Sequence, residues 1–331
     1  MAGRRRKKSG GRSYAWRYRG RIVACVFVEV IIICALVIMI GWNKGVKEWF
    51  EQFEQPVLKE VDISGINSPN AILMQARGGK ILGEINGEAQ IYPASMTKIM
   101  TVILGIENFD NLDEKITLTD EMFSGLYEQD ATQAGFQPGE EVRVIDLLYG
   151  AMLPSGAECC IALADTISGS EADFAELMNK KARKLGMENT HFCDSTGLHN
   201  PDHYSTVKDI AVLMKYCIKN DTFREIVETS RHSTGVTNIH PDGITYYSTM
   251  FKNLSDPTVT GGKILGGKTG YTSEAGHCLV SFAEIEGREY IFVSAGASGA
   301  DGNTIPHIQD AVNVYNRVGA AIEAKMNDNN K

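Results

Sequence analysis

The sequence predicts a mixed α/β (α+β) chain: an antiparallel sheet drawn from both ends of a domain, helices packed on it, an all-helical lobe from the middle, and one transmembrane helix ahead of everything. Three patterns predict it. β-type runs bounded by glycines occupy residues 71–82 and again 261–295, helical apolar runs fill the stretch between, and residues 22–40 are apolar except for Glu29.

The apolar run follows a basic tail over residues 1–21, in which Arg4, Arg5, Arg6, Lys7, Lys8, Arg12, Arg17, Arg19 and Arg21 meet no acid. As a helix, residues 22–41 rise about 30 Å, the thickness of a bilayer core. Thirteen Ile, Val, Leu and Phe residues, at roughly −0.4 kcal/mol each, outweigh the roughly 3 kcal/mol that Glu29 costs. Trp42, Asn43 and Lys44 follow where a cleaved leader would have small residues, so 22–42 reads as an uncleaved anchor with its N-terminus in the cytoplasm and the rest of the chain outside. Residues 43–60, with Trp49, Phe50 and Phe53 among charges, read as a stalk, and 61–325 as the globular domain.

Beyond the tail and span, 24 Lys and Arg face 40 Asp and Glu, a net charge near −16 that argues against a nucleic-acid partner. Cys25 and Cys34 lie in the span. Cys159, Cys160, Cys193, Cys217 and Cys278 are an odd set without C-x-x-C spacing, and read as buried free thiols rather than a disulfide framework or a zinc site.

Within the domain, residues 71–76 and 81–82 flank Arg77-Gly78-Gly79-Lys80, a hairpin by its glycines. A buried helix opens at Ser95: Pro93 suits a helix entry, Ser95 an N-cap or first turn, and Ile99, Met100, Val102, Ile103 and Leu104 make the next turns apolar. Residues 108–141 are polar and read as a loop. Helices follow over 144–153, stopped by Pro154, over 157–167, stopped by Gly169, over 171–185 behind a Ser170–Asp173 capping box, and over 206–218 behind Thr206 and Asp209. Strands at 261–272, 277–285 and 290–295 form a meander around a Glu286-Gly287 turn, and a helix over 308–324 closes the domain.

Ser95 and Lys98, three residues apart, share one helix face. A desolvated lysine gives up its proton more readily, and the free N–H groups of a helix start favour negative charge, so nucleophile, base and part of an oxyanion site fit in one turn. Alone, Ser-x-x-Lys is usually two polar residues on a solvated face. Two later patterns alter that weighting: Ser155-Gly156-Ala157 at the break between two apolar helices, 60 residues on, and Lys268-Thr269-Gly270 on a β-like stretch, 113 residues further. His199-Asn200-Pro201-Asp202-His203 has metal-like spacing, but Pro201 argues against a helical histidine face and no third ligand is placed, so a loop is read there and not zinc. Cys159 and Cys160, on an apolar helix, read as small core residues.

In this order the three patterns resemble the S-x-x-K, S-x-N and K-T-G motifs of the penicillin-binding, serine-type D-alanyl-D-alanine carboxypeptidases. The likeness extends to Ile91-Tyr92-Pro93-Ala94-Ser95-Met96-Thr97-Lys98, Asp146-Leu147-Leu148-Tyr149-Gly150, Thr196-Gly197-Leu198-His199 with His203-Tyr204-Ser205-Thr206, and Gly267-Lys268-Thr269-Gly270-Tyr271-Thr272. It implies the serine β-lactamase/transpeptidase-like fold and removal of the terminal D-alanine from peptidoglycan stem pentapeptides, with β-lactams as covalent inhibitors and no metal or organic cofactor. On that resemblance Ser95 is the acylated nucleophile, Lys98 its base, and Ser155 a proton donor to the leaving D-alanine, hydrogen-bonded to Lys98. Lys268 adds positive potential, Thr269 binds the terminal carboxylate, Gly270 lets substrate come close, and the backbone N–H groups of Ser95 and Tyr271 form the oxyanion hole.

One position departs from the pattern. Ala157 stands where the family usually has an asparagine that holds a substrate carbonyl, and Glu158, about 100° further round the helix, reads as solvated or structural. Two other readings stay open: a β-lactamase-like hydrolase, although no separate Glu-x-x-x-Asn element follows the middle motif, and a non-catalytic peptidoglycan-binding homologue, which Ala157 makes thinkable.

Overall fold

Two β-type runs more than two hundred residues apart in sequence meet in one sheet. The structure, a computed structural model, describes residues 58–299 and 305–329. The basic tail, the span at 22–42 and the stalk as far as residue 57 lie outside the described residues; among those described, no helix is long and apolar enough to cross a membrane.

β1 (Asn70–Gln75) and β2 (Ile81–Ile85) form the expected hairpin, with Gly78 and Gly79 at φ of 85° and 72°, where a side chain would be strained. A 3-10 turn over Ala94–Thr97 runs straight into α1 (Lys98–Asn108). The segment read as a loop contains a small two-stranded sheet, β3 (Lys115–Thr117) with β4 (Glu141–Arg143). Strands of three residues are too short for alternation to register in sequence.

α2 (Val144–Met152) and α3 (Ala157–Ser168) end before Pro154 and Gly169, and α4 (Glu171–Leu185) and α5 (Val207–Cys217) start where their caps put them: Ser170 accepts from Asp173 N–H and Thr206 from Asp209 N–H. α6 (Asp221–Glu228), capped by Asn220, was not read from the sequence, nor were the hairpin β5 (Arg231–Ser233) and β6 (Thr245–Tyr247) or the short α7 (Thr249–Asn253). β7 (Thr258–Val259), β8 (Gly262–Thr272), β9 (Gly276–Ile285) and β10 (Arg288–Ala297) then complete the main sheet, and α8 (Pro306–Asn329) ends the described chain.

The main sheet is antiparallel with strand order β2-β1-β10-β9-β8-β7. Alternation along the strands sorts its side chains onto two faces. Leu73, Leu279, Ala283, Tyr290 and Phe292 pack with Ile308, Ala311, Val314, Tyr315 and Val318 of α8. Ile72, Met74, Val280, Phe282, Ile291 and Val293 join the larger core that holds α1 to α6. α1 is covered on all sides from Lys98 to Gly105. Its five large apolar side chains contribute roughly 1.5–3 kcal/mol each by burial. That surplus offsets the cost of taking the Lys98 amine out of water.

Candidate active site

The 3-10 turn ahead of α1 carries Ser95. The sequence places Ser95 at the mouth of the α-helix itself; the structure places it in the tighter turn just before, where residues three apart nearly eclipse. Lys98, the first α-helical residue, accordingly donates from Nζ to Ser95 Oγ at 3.1 Å. A second bond runs from the same amine to the carbonyl of Thr196 at 2.6 Å. Lys98 is 3% exposed, and Ala94, next to the serine, has a left-handed φ of 47°. Strain of this kind in a non-glycine residue persists only where the surroundings enforce it.

Ser155 occupies the break between α2 and α3 with a φ of 74°, a second strained non-glycine residue. Its hydroxyl accepts from Lys268 Nζ at 3.0 Å. The resemblance pairs that hydroxyl with Lys98; here its partner is Lys268. Lys268 also donates to its neighbour's carbonyl, Thr269 O, at 2.9 Å and is only 1% exposed. Burial first, and the nearby charge of Lys98 second, push its proton affinity well below that of an ordinary lysine.

The remaining residues of the third motif lie along β8. Thr269 Oγ1 is 2.7 Å from Thr249 Oγ1, at the start of α7. Gly270 is packed against the serine's turn: a Cβ there would stand 3.0 Å from Ser95 N and 3.2 Å from Pro93 O. Tyr271 is 61% exposed with its ring 4.7 Å from that of His277. Beside it opens a cavity of about 630 Å³ lined by Glu274, His277 and Ser298 among others.

Ala157 is buried in the first turn of α3, its N–H donating to Thr132 O at 2.8 Å. Glu158 is fully buried, which settles between the two roles read for it: it is structural and not solvated. Its Oε1 accepts from the N–H groups of Ala134 at 2.6 Å and Gly135 at 2.9 Å, while Oε2 is buried without a partner. Desolvation outweighs those bonds and raises the carboxyl above its usual range. Glu158 and the Ala157 N–H thus clamp the 132–135 segment beside Ser155.

The two histidines of the loop before α5 go separate ways. His199 stacks edge-on against Tyr92 at 4.8 Å and lies 3.9 Å from Glu274, whereas His203 is buried with Nε2 2.9 Å from Thr97 Oγ1. Among the described residues no group of three or more His, Cys, Asp and Glu is arranged to hold a metal. Cys159, Cys160, Cys217 and Cys278 are buried free thiols, but Cys193 is half-exposed, since it lies on that same surface loop. Sequence reasoning missed Thr249, Asp194 and the Thr196 carbonyl. The only signal for Asp194 was the turn-forming Asp194-Ser195-Thr196-Gly197 stretch.

Residues 57–299 match the model of the S11 peptidase family, described as D-alanyl-D-alanine carboxypeptidase. The chain is 35% identical over 231 residues to D-alanyl-D-alanine carboxypeptidase DacF of Bacillus subtilis, covering 69% of this chain and 57% of the relative. It is 33% identical over 261 residues to DacC of Escherichia coli, covering 72% of this chain and 58% of that protein, so it spans less than three fifths of either relative. The crystal structure of the DD-transpeptidase of Streptomyces K15 superposes with a TM-score of 0.69 at 29% identity, covering 79% of this chain and all of that one. A D-alanyl-D-alanine carboxypeptidase from Mycobacterium tuberculosis shares the fold, with a TM-score of 0.69 at 21% identity, covering 81% of this chain and 96% of that one. With its three polar motifs gathered where the 3-10 turn, the α2–α3 break and β8 converge, and with the family match covering most of its length, the chain belongs to the S11 family of D-alanyl-D-alanine carboxypeptidases.

Proposed function

We propose that the chain is a serine DD-carboxypeptidase that removes the terminal D-alanine from peptidoglycan stem pentapeptides. The observation that carries the reading is the Lys98 amine 3.1 Å from Ser95 Oγ on one buried turn, with a second buried lysine, Lys268, bonded to Ser155. Lys98 takes the Ser95 proton as Oγ attacks the carbonyl carbon of the penultimate D-alanine. The N–H groups of Ser95 and Tyr271 hold the resulting oxyanion. The C–N bond then breaks, the proton passes through Ser155 to the departing amine, and D-alanine leaves an ester on Ser95. Water hydrolyses that ester with Lys98 again as base. Lys268 and Thr269 hold the substrate's terminal carboxylate, and the close packing of Gly270 on the Ser95 turn supports a peptide lying along β8.

The same reading makes β-lactams covalent inhibitors and residues 61–325 the catalytic domain, with 43–60 as stalk, 22–42 as a single-pass anchor and 1–21 in the cytoplasm, so that catalysis takes place outside the cell. Full-length chain should stay in the membrane pellet after alkaline carbonate, and recovery in the supernatant would refute the anchor.

Incubated with benzylpenicillin, the protein should gain one penicilloyl group by intact mass, and Ser95→Ala should gain none. D-alanine should appear from a peptide ending in D-Ala-D-Ala. Turnover of a chromogenic cephalosporin faster than D-alanine release would favour the β-lactamase-like reading. A folded protein with neither adduct nor release would favour a non-catalytic homologue.

A further inference from the structure

A closed ring of polar groups, buried except for the partly exposed Asp194, surrounds Lys98. Its amine donates to Thr196 O at 2.6 Å. Thr196 is held by Asp194, whose Oδ1 accepts from Thr196 N at 2.8 Å, Thr196 Oγ1 at 2.7 Å and Gly197 N at 2.7 Å. The other carboxylate oxygen lies 3.2 Å from His203 Nδ1, and His203 Nε2 lies 2.9 Å from the hydroxyl of Thr97, the residue next to Lys98. Thr97, Lys98, Thr196 and His203 are all buried.

We infer that Asp194 and His203 are positioning residues for Lys98: they fix the carbonyl that holds the amine from one side and the hydroxyl beside the lysine from the other. The inference deepens the carboxypeptidase reading and rests on it for its kinetic arm only. A lysine side chain has four rotatable carbons and three equivalent donors, so it does not orient itself. Of the acceptors its amine meets, Ser95 Oγ is the group it must serve, and the Thr196 carbonyl is the fixed point that aims it.

The carboxylate is suited to this role. Burial pushes the Asp194 carboxyl up, but the hydrogen bond and charge of His203 and the donors of Thr196 and Gly197 outweigh it and hold it down at about 2. It is therefore ionised at neutral pH. An ionised acceptor calls for an N–H on Nδ1, and the Cys193 N–H, 3.3 Å from that nitrogen, is the longer contact. Sterics press the loop onto the turn: Gly197 has a φ of 79°, and a Cβ there would lie 1.9 Å from Ala94 O and 2.7 Å from Thr97 Oγ1. Both ends of the ring close on the adjacent residues Thr97 and Lys98, and a network serving stability alone has no need to converge there.

The test uses the full-length chain labelled at lysine Cε and Nζ, with the Lys98 signal assigned by Lys98→Arg. In Asp194→Asn and His203→Asn the Lys98 signal should move or broaden, with Lys181, paired with Glu107 at 2.7 Å, as internal reference. In parallel, acylation by a fluorescent penicillin is resolved into binding and chemical steps. At saturation the chemical step should fall roughly 10–100-fold while binding changes less than about 3-fold. Asp194→Ala should fall further than Asp194→Asn, which keeps an oxygen for Thr196 and Gly197. An unmoved Lys98 signal, or a loss of acylation no larger than the unfolded fraction measured by melting, would overturn the inference. Should the wild type form no adduct, the carboxypeptidase reading fails, and the Lys98 signal alone still decides the positioning role.

Discussion

Glu158 carries two backbone N–H groups on one oxygen and leaves the other oxygen buried and unpaired. Truncation to alanine orphans the Ala134 and Gly135 donors, each of which costs roughly 1–3 kcal/mol when buried without a partner. Glu158→Ala should therefore destabilise by roughly 2–4 kcal/mol, read as a lower urea midpoint at constant slope. Glu158→Gln keeps an accepting oxygen and gives up a charge that burial already disfavours, so it should lose less than about 1 kcal/mol. Equal losses in the two variants would mean that charge, and not the two N–H bonds, is what the site needs. The same residue, with the N–H of the buried Ala157, holds the 132–135 segment against the break before α3.

Elements were legible in proportion to their length and to the chemistry of their ends. α4 and α5 were readable because Ser170 and Thr206 mark their starts, and the β8–β10 meander because its strands are ten or eleven residues long and two of them flank Glu286-Gly287. β3, β4, β5 and β6, of three residues each, and α7, of five, were not, because their partners and not their own sequences define them. The site divides the same way. Ser95, Lys98, Ser155 and Lys268 announced themselves by residue type and spacing, and the structure pairs Ser95 with Lys98 and Ser155 with Lys268. Thr249 contributes a hydroxyl and Thr196 a carbonyl, groups that no residue pattern singles out. The loop before α5 also sets a steric test. Gly197→Ala forces a side chain into positive φ and onto Ala94 O, so it should cost at least about 2 kcal/mol. It should also slow penicillin acylation, because the chain it displaces carries Ser95; unchanged acylation with lowered stability would show that the turn and the loop move independently.

At the scale of the molecule, one buried imidazole makes a contribution to stability that is lost on mild acidification. His307 is buried beneath the ring of His277, stacked at 5.0 Å, and its Nδ1 has no partner. Burial, and the neighbouring His277 second, hold it down at about 4 against an ordinary 6.5, with Asp310 pulling weakly the other way. Between those two values the unfolded chain binds a proton that the folded one refuses, so stability is lost as pH falls from about 6.5 towards about 4, by up to about 3 kcal/mol. His307→Phe, which keeps a stacking ring but cannot titrate, should flatten the melting temperature across that window. A His307→Phe variant whose melting temperature changes with pH as the wild type's does from pH 6.5 to pH 4 would contradict the burial of a neutral imidazole.

Strand order also fixes a sequence of events during synthesis. Asn70 of β1 is paired with Ala295 of β10, 225 residues later, and at 5–20 residues per second roughly 11–45 s separate their emergence from the ribosome. The turn bearing Ser95 belongs to the early part of that interval, whereas β8 with Lys268 and Gly270 arrives late and is flanked by β9, itself paired with β10. The nascent chain therefore carries the Ser95 hydroxyl with no facing strand until β8, which begins 167 residues later at Gly262, has emerged.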